Sequence, residues 1–298
     1  NNPSARLMVR AANAAVAVAF ILILTKAWAY NISESVSMLG SLLDSVMDIL
    51  ASVINLVAIR FAVVPADDDH RFGHGKAEAI AGLVQAMVIF LSGLFLAVEA
   101  IGKMIEPEPL LQVDKNIAVL IISIILTVGL VAYQRYVIHK TNSVAITADH
   151  LHYSGDILMN FGVLLALFLS GYLNYYLADP LIGLLVAGYL MYNVMQIARN
   201  SVDMLVGKEM DDLDKEKIIA IIKSHPEVHG VHDMRTRKSG LDLFIQFHLE
   251  MEGDLPLRVA HQITEDVEAE IRTEFPEAEV LIHADPEDQV DESIVNRE

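Results

Sequence analysis

The sequence IAVLIISIILTVGLVA, residues 117–132, decides the fold class. It contains no charged side chain, and it lacks the polar face that a helix of a soluble bundle carries. The surrounding apolar stretch, residues 115–139, exceeds the length of about 20 residues that a helix needs to cross a hydrocarbon core of about 30 Å. We therefore interpret it as a membrane-spanning helix. The alternative, a soluble helical bundle, does not fit the missing polar face.

Five further apolar stretches are also long enough to span a membrane. They are residues 7–30, 36–64, 77–105, 143–171 and 178–206. Hydrophobic residues make up 54% of the chain and the mean hydropathy is +0.43, which excludes a disordered chain and an ordinary soluble protein. The absence of cysteine excludes disulfides, thiolate zinc fingers and iron–sulfur clusters. The sequence thus predicts a polytopic α-helical membrane protein with six transmembrane helices.

Charge divides the chain into two parts. Residues 1–208 carry a net charge of −3, whereas residues 209–298 carry −15. We predict a six-helix transmembrane domain over 1–208, a cytoplasmic domain over 209–288 and an acidic tail over 289–298. Six spans put both termini on the same side of the membrane. Nine basic residues lie near that side and three near the other, so the positive-inside rule places both termini in the cytoplasm. The overall net charge of −18 argues against a nucleic-acid partner.

The polar C-terminal part has the pattern of a small α+β domain. Residues 211–224 and 257–273 show apolar residues at helical spacing, while residues 230–237 and 280–285 are predicted as strands. Residues 241–250 alternate strictly, with His248 and the acids on the polar side. The predicted element order is therefore αββαβ.

Ionisable residues inside the spans are candidates for function, because a charge in a membrane is costly unless it is paired or hydrated. Asp44 and Asp48 are four residues apart in the second span, and His152 and Asp156 are four apart in the fifth. Each pair shares a helix face, so two facing pairs would offer one nitrogen and three carboxylates to Zn²⁺ or a similar divalent cation. Taken alone, the first pair could be an acid–acid relay and the second a structural hydrogen bond. Their joint occurrence favours a metal site.

A second candidate metal site lies in the loop after the second span. Asp67, His70 and His74 have D-x2-H-x3-H spacing, and three such ligands can hold a metal with an open fourth position. The alternative is a solvated acidic loop with incidental histidines.

These motifs together resemble the cation diffusion facilitator family of metal/proton antiporters. The resemblance rests on D-x3-D in the second span, H-x3-D in the fifth and DDDHRFGHGK over residues 67–76, and it extends over essentially the whole chain. It implies a homodimer whose protomers each carry six helices and a cytoplasmic αββαβ domain of ferredoxin or metallochaperone type. It also implies a transport site formed by Asp44, Asp48, His152 and Asp156.

The resemblance assigns three further sets of residues. It implies loop ligands at Asp67, His70 and His74. It implies a two-metal cytoplasmic cluster bound by His232, His248, His261, His283 and Asp285. Relatives often pair the lysine that begins the third helix, here Lys76, with an acid near the end of the sixth. The nearest acid here is Asp203, about a turn earlier than the pattern expects.

The expected activity is export of Zn²⁺ from the cytoplasm in exchange for H⁺ by alternating access, with Cd²⁺ and Fe²⁺ as further substrates, in a bacterial inner membrane. Metal binding requires deprotonated ligands, which links binding to proton release. The alternatives are a membrane-bound metal sensor without transport and an intramembrane metallohydrolase. The sequence lacks H-E-x-x-H, which disfavours an enzyme, and it lacks the G-x4-G-K-[S/T] phosphate loop, which disfavours a nucleotide partner.

Overall fold

The computed structural model describes residues 2–33, 36–105, 117–173 and 177–289. The chain divides into two compact units, Asn1–Val202 and Asp203–Glu298. This division falls within the last turns of the sixth helix, a few residues before the boundary that charge predicts. The exact domain limits at 208 and 288 stay a prediction, and the acidic tail after residue 289 lies outside the described residues.

The described part of the first unit contains six long helices. They are α1 (Pro3–Ser33), α2 (Val36–Ala62), α3 (Lys76–Ile105), α4 (Ile117–Thr141), α5 (Val144–Leu173) and α6 (Ala178–Val206). Within the described residues, all except α5 are long and apolar enough to cross a membrane. The described part of α5 carries two aspartates and two histidines. The predicted helical transmembrane class is confirmed.

Small and large side chains take opposite sides of these helices. On α1, Ala11, Ala15 and Ala19 are buried, which lets its neighbours α2 and α4 approach closely. Phe95 of α3 and Leu185 of α6, by contrast, are 71% and 73% exposed. An outward apolar surface of this kind is expected for helices that face lipid rather than water.

The second unit folds as predicted into an αββαβ domain. Its elements are α7 (Asp212–Lys223), β1 (Gly230–Ser239), β2 (Asp242–Met251), α8 (Leu257–Glu274) and β3 (Ala278–Pro286), followed by a single 3₁₀ turn. The sheet order is β1-β2-β3, with β1 antiparallel and β3 parallel to β2. The predicted bounds differ from these by at most two residues at each end.

The core of this domain lies between one sheet face and the two helices. Ile245, Phe247 and Leu249 of β2 are almost completely buried, and they pack with Ile218 of α7 and Val267 of α8. Alternation in a strand sends the intervening side chains to the opposite face. The core therefore leaves His248 and its neighbours on the other side of the sheet.

Two backbone features shape the β1–β2 hairpin. Gly240 has φ 62° in the connecting turn, a conformation that glycine adopts without strain. A bulge interrupts the pairing between His232 and Arg235, and Asp233 within it has φ 49°. Such a bulge changes the direction of the side chains at that edge of the sheet.

Candidate metal centres

The buried centre joins α2 to α5. Ligand atoms of Asp48, His152 and Asp156 all lie within 4.8 Å of one another. His152 Nε2 is 3.1 Å from Asp48 Oδ1 and 4.0 Å from Asp156 Oδ2. The side chains are 11% exposed for His152, 22% for Asp48 and 38% for Asp156, so the group is shielded but reachable. One ring nitrogen and two carboxylates at this spacing can bind a divalent cation.

Asp44 stands apart from this group. It lies one turn before Asp48 on α2 and is exposed, and the group found among the described residues does not include it. The sequence spacing alone placed all four predicted ligands together. The four-ligand set therefore stays a prediction, whereas three of its members share one site in this structure.

The loop centre precedes α3. His70 Nδ1 lies 3.2 Å from Asp67 Oδ1, and His74 Nε2 lies 3.3 Å from Asp67 Oδ2. Asp67 Oδ1 also accepts hydrogen bonds from the backbone N–H groups of Asp69 and His70. The bond from the His70 N–H lowers the pKa of the Asp67 carboxyl below its ordinary value.

His74 is the most enclosed member of the loop centre. Its side chain is 2% exposed, and its Nδ1 lies 3.2 Å from the carbonyl oxygen of Val64. With Nδ1–H donating to that oxygen, Nε2 is left facing Asp67 with a lone pair. The loop backbone thus orients one histidine nitrogen toward a metal position.

The cytoplasmic centre is a row of histidines across the sheet. The register pairs His232 with His248 and His248 with His283, so the three stand side by side on β1, β2 and β3. Asp285 lies among them: its Oδ2 is 2.7 Å from His248 Nδ1 and 3.5 Å from His232 Nε2, and its Oδ1 is 3.0 Å from His283 Nε2. Ligand atoms of His232, His248 and Asp285 lie within 4.8 Å of one another.

Glu250 belongs to the same surface, although the sequence prediction omitted it. Its Oε1 lies 2.7 Å from Nδ1 of His232, which is nearly fully buried. The sequence spacing could have identified Glu250, because it follows His248 by two residues on a strand and therefore lies on the same face. His261 lies on α8 instead, where it is 69% exposed and 3.8 Å from Glu265. Its role as a ligand stays a prediction.

The predicted charge pair between Lys76 and Asp203 also remains a prediction. Lys76 begins α3 in the first unit, whereas Asp203 opens the second unit. Asp203 Oδ2 accepts a hydrogen bond from Lys208 Nζ at 2.9 Å. This hydrogen bond raises the pKa of Lys208 above its ordinary value.

A buried carboxyl group on α5, next to the buried centre, was missed by the sequence prediction. Asp149 is completely buried one turn before His152, and Gln134 Nε2 of α4 donates a hydrogen bond to its Oδ2 at 2.7 Å. Nearby, the hydroxyls of Ser52 on α2 and Tyr153 on α5 are 2.7 Å apart. These bonds fix α2, α4 and α5 around the candidate metal position.

Two family models match the chain. The one described as the cation efflux transmembrane domain matches residues 12–206, and the one described as the cation efflux protein cytoplasmic domain matches residues 210–287. The chain therefore belongs to the cation diffusion facilitator family of metal transporters, as the sequence motifs predict.

The chain is similar to individual curated relatives and, in part, to a solved structure. The chain is 45% identical to the cation-efflux pump FieF of Salmonella arizonae over 286 residues, which cover 96% of this chain and 95% of the relative. It is likewise 45% identical to FieF of Salmonella schwarzengrund over the same shares. Among solved structures, the metal-bound C-terminal domain of the CzcD transporter from Thermotoga maritima is 28% identical. That match covers 28% of this chain and 100% of that one, with a TM-score of 0.26.

Proposed function

We propose that the chain is a Zn²⁺/H⁺ antiporter that exports metal from the cytoplasm. The observation that carries this proposal is the group of Asp48, His152 and Asp156, which lies among long apolar helices. Ionisable residues at such a position are costly, and membrane transporters place them along the substrate path. A metal with a purely structural role could be bound equally well outside the membrane. The location of this group among membrane helices therefore favours a transported ion.

Proton coupling follows from the chemistry of the ligands. A histidine nitrogen binds metal only in its neutral form, and a carboxylate binds metal only when ionised. Protons and metal therefore compete for His152, Asp48 and Asp156. A site that alternately faces the two sides of the membrane would take up metal inside, release it to protons outside and return protonated. An acidic exterior would drive this cycle toward export.

The donor set bears on the choice of metal. One imidazole nitrogen with carboxylate oxygens suits Zn²⁺ and Cd²⁺, while Fe²⁺ accepts the same ligands. Mn²⁺ and Mg²⁺ favour sites made only of oxygen. We propose Zn²⁺ as the principal substrate, with Cd²⁺ and Fe²⁺ also carried. Asp44 would join as a fourth ligand if α2 rotates or shifts during transport.

The remaining parts have supporting roles in this proposal. The protein acts as a homodimer in a bacterial inner membrane, with both termini in the cytoplasm. The domain over 209–288 holds the two protomers together through metal bound at the histidine row, with His261 as a further ligand. The loop site receives metal near the cytoplasmic entrance. Lys76 and Asp203 form a charge pair between protomers in at least one state of the cycle.

A second candidate function is supported by the cytoplasmic histidine row. Three histidines with Asp285 and Glu250 could bind metal as a membrane-attached sensor, with no transport at all. The two functions differ in one measurable property, because only a transporter moves metal across a sealed membrane.

Zinc uptake by proteoliposomes distinguishes the antiporter from the sensor. The full chain is compared with Asp48→Ala, and with Asp254→Ala as a control, since Asp254 lies in an exposed turn of the other unit. We expect uptake by the full chain and by the control, and its loss in Asp48→Ala. Zinc binding without uptake by the full chain would support the sensor, and uptake that survives in Asp48→Ala would exclude the buried group as the route.

A further inference from the structure

A lysine is held against α2 next to the buried metal centre. Lys26 lies on α1, and its ammonium donates hydrogen bonds to Ser45 Oγ at 2.7 Å and to the carbonyl oxygen of Ser41 at 3.2 Å. Ser45 is 1% exposed. Positions 41, 45 and 48 share one face of α2, because they are spaced by four and three residues. The ammonium therefore lies on the same helix face as Asp48, about one turn away.

The charge of this lysine acts on the acids of the centre. Lys26 interacts electrostatically with both Asp44 and Asp156, one on each of the two helices that form the site. An ammonium group has three N–H donors and no lone pair, so it cannot bind a metal ion. Its role is therefore that of a neighbouring charge. Between apolar helices such a charge is screened much less than it would be in water.

Charge balance gives this lysine a consequence for metal binding. The carboxylates of Asp44, Asp48 and Asp156 supply three negative charges in total, and Lys26 supplies one positive charge close to the position of a bound divalent cation. With His152 neutral, the three carboxylates, the lysine and one divalent cation together have no net charge. Without the lysine, the same acids would hold the metal more tightly and release it more slowly.

We propose that Lys26 is a fixed counter-ion of the transport site, which weakens divalent-metal binding enough to permit release. The proposal rests on the transport role assigned to Asp48, His152 and Asp156. In the proposed topology α1 leaves the cytoplasm and α2 returns to it, so Lys26 stands on the outer side of Asp48. Repulsion between the ammonium and the bound metal ion destabilises the occupied site, and this raises the rate of metal dissociation.

The test replaces the lysine by an uncharged chain of similar length. In Lys26→Met, we expect zinc to bind the buried site about tenfold more tightly, because a repulsive charge is removed. In proteoliposome transport we expect KM for Zn²⁺ to fall and kcat to fall with it. Binding is measured by calorimetry on the full chain, and the buried site is identified as the component that disappears in Asp48→Ala.

The chain offers a matched control in a second lysine within a membrane helix. Lys103 of α3 lies 3.2 Å from Glu99 and 3.4 Å from Asp179, and it is not among the charges that act on Asp44 or Asp156. Lys103→Met should change zinc affinity and KM much less than Lys26→Met does, because Lys103 reaches these acids only through its partner Glu99, which acts on Asp44. Lys26→Arg, which keeps the charge, should remain close to the original protein.

Unchanged binding and unchanged KM in Lys26→Met would overturn the proposal, as would an equal effect in Lys103→Met or in Lys26→Arg. If Lys26→Met does not fold, Lys26→Gln keeps a donor for Ser45 and is held to the same expectation. The binding measurement does not depend on transport. Tighter binding in Lys26→Met together with no flux in the original protein would retain the counter-ion and reject the antiporter.

Discussion

Replacing Asp285 by asparagine tests the cytoplasmic centre. This carboxylate lies within 3.5 Å of a nitrogen from each of His232, His248 and His283, so it touches all three members of the row. Asparagine keeps its size and one oxygen but removes the charge. We expect Asp285→Asn to lose most of the stabilisation that bound zinc gives to this domain, because both metal affinity and ligand geometry depend on that carboxylate.

The expected size can be worked out from binding linkage. A ligand at a hundred times its Kd stabilises a folded domain by about 2.7 kcal/mol. For a domain of this size, about 1 kcal/mol shifts Tm by roughly 4–8 °C, so zinc should raise Tm by roughly 10–20 °C. If Asp285→Asn weakens binding about a hundredfold, the same zinc concentration contributes only about 0.4 kcal/mol, or roughly 2–3 °C.

The assay is thermal unfolding of the fragment 203–298, followed by circular dichroism with and without zinc. The fragment corresponds to the second compact unit and contains its own apolar core. Asp254→Asn is the control, because it removes an acid from an exposed turn away from the histidine row. An equal zinc-induced rise in Tm for Asp285→Asn and for the original fragment would refute the reasoning and place the metal elsewhere.

Two further predictions concern stability. Gly82→Ala should lower the unfolding temperature of the full chain in detergent, because the new Cβ would lie 2.6 Å from Ser201 Oγ. Gly188→Ala is the control, since a Cβ there meets open space and should leave the unfolding temperature unchanged. Equal unfolding temperatures for the two variants would contradict the close contact between α3 and α6. Partial burial opposes ionisation of Glu209, but its hydrogen bonds, foremost that from Lys215, outweigh this and lower its pKa. Glu209→Gln should therefore destabilise fragment 203–298 near neutral pH, and the difference should vanish as acid protonates Glu209; a pH-independent difference would contradict this.

The fold could be predicted from the sequence because two patterns in it are strong: long uninterrupted apolar runs and a strict alternation of apolar and polar residues. Continuous apolar runs such as residues 115–139 specify a membrane helix without reference to any partner. The strict alternation in residues 241–250 likewise fixes which face of β2 is buried, and its bounds differ by one residue from those in the structure. Both signals are local, so they can be read from the order of residues alone.

The centres could be predicted only in part, because they depend on how separate elements meet. Spacing of four residues placed Asp44 beside Asp48, yet helix rotation decides which of the two faces α5, and only Asp48 joins His152 here. Asp149 gave no spacing signal because its hydrogen-bond partner, Gln134, lies on another helix. Lys26 gave no spacing signal either, because its place against α2 depends on helix packing.

Simultaneous measurement of zinc and proton movement tests the central claim most directly. Proteoliposomes with the full chain receive an inward zinc gradient and no initial pH gradient, and an enclosed dye reports the internal pH. The account predicts that the interior becomes alkaline as zinc enters, and that Asp48→Ala shows neither change. Zinc entry with no accompanying proton exit would contradict antiport through the group of Asp48, His152 and Asp156.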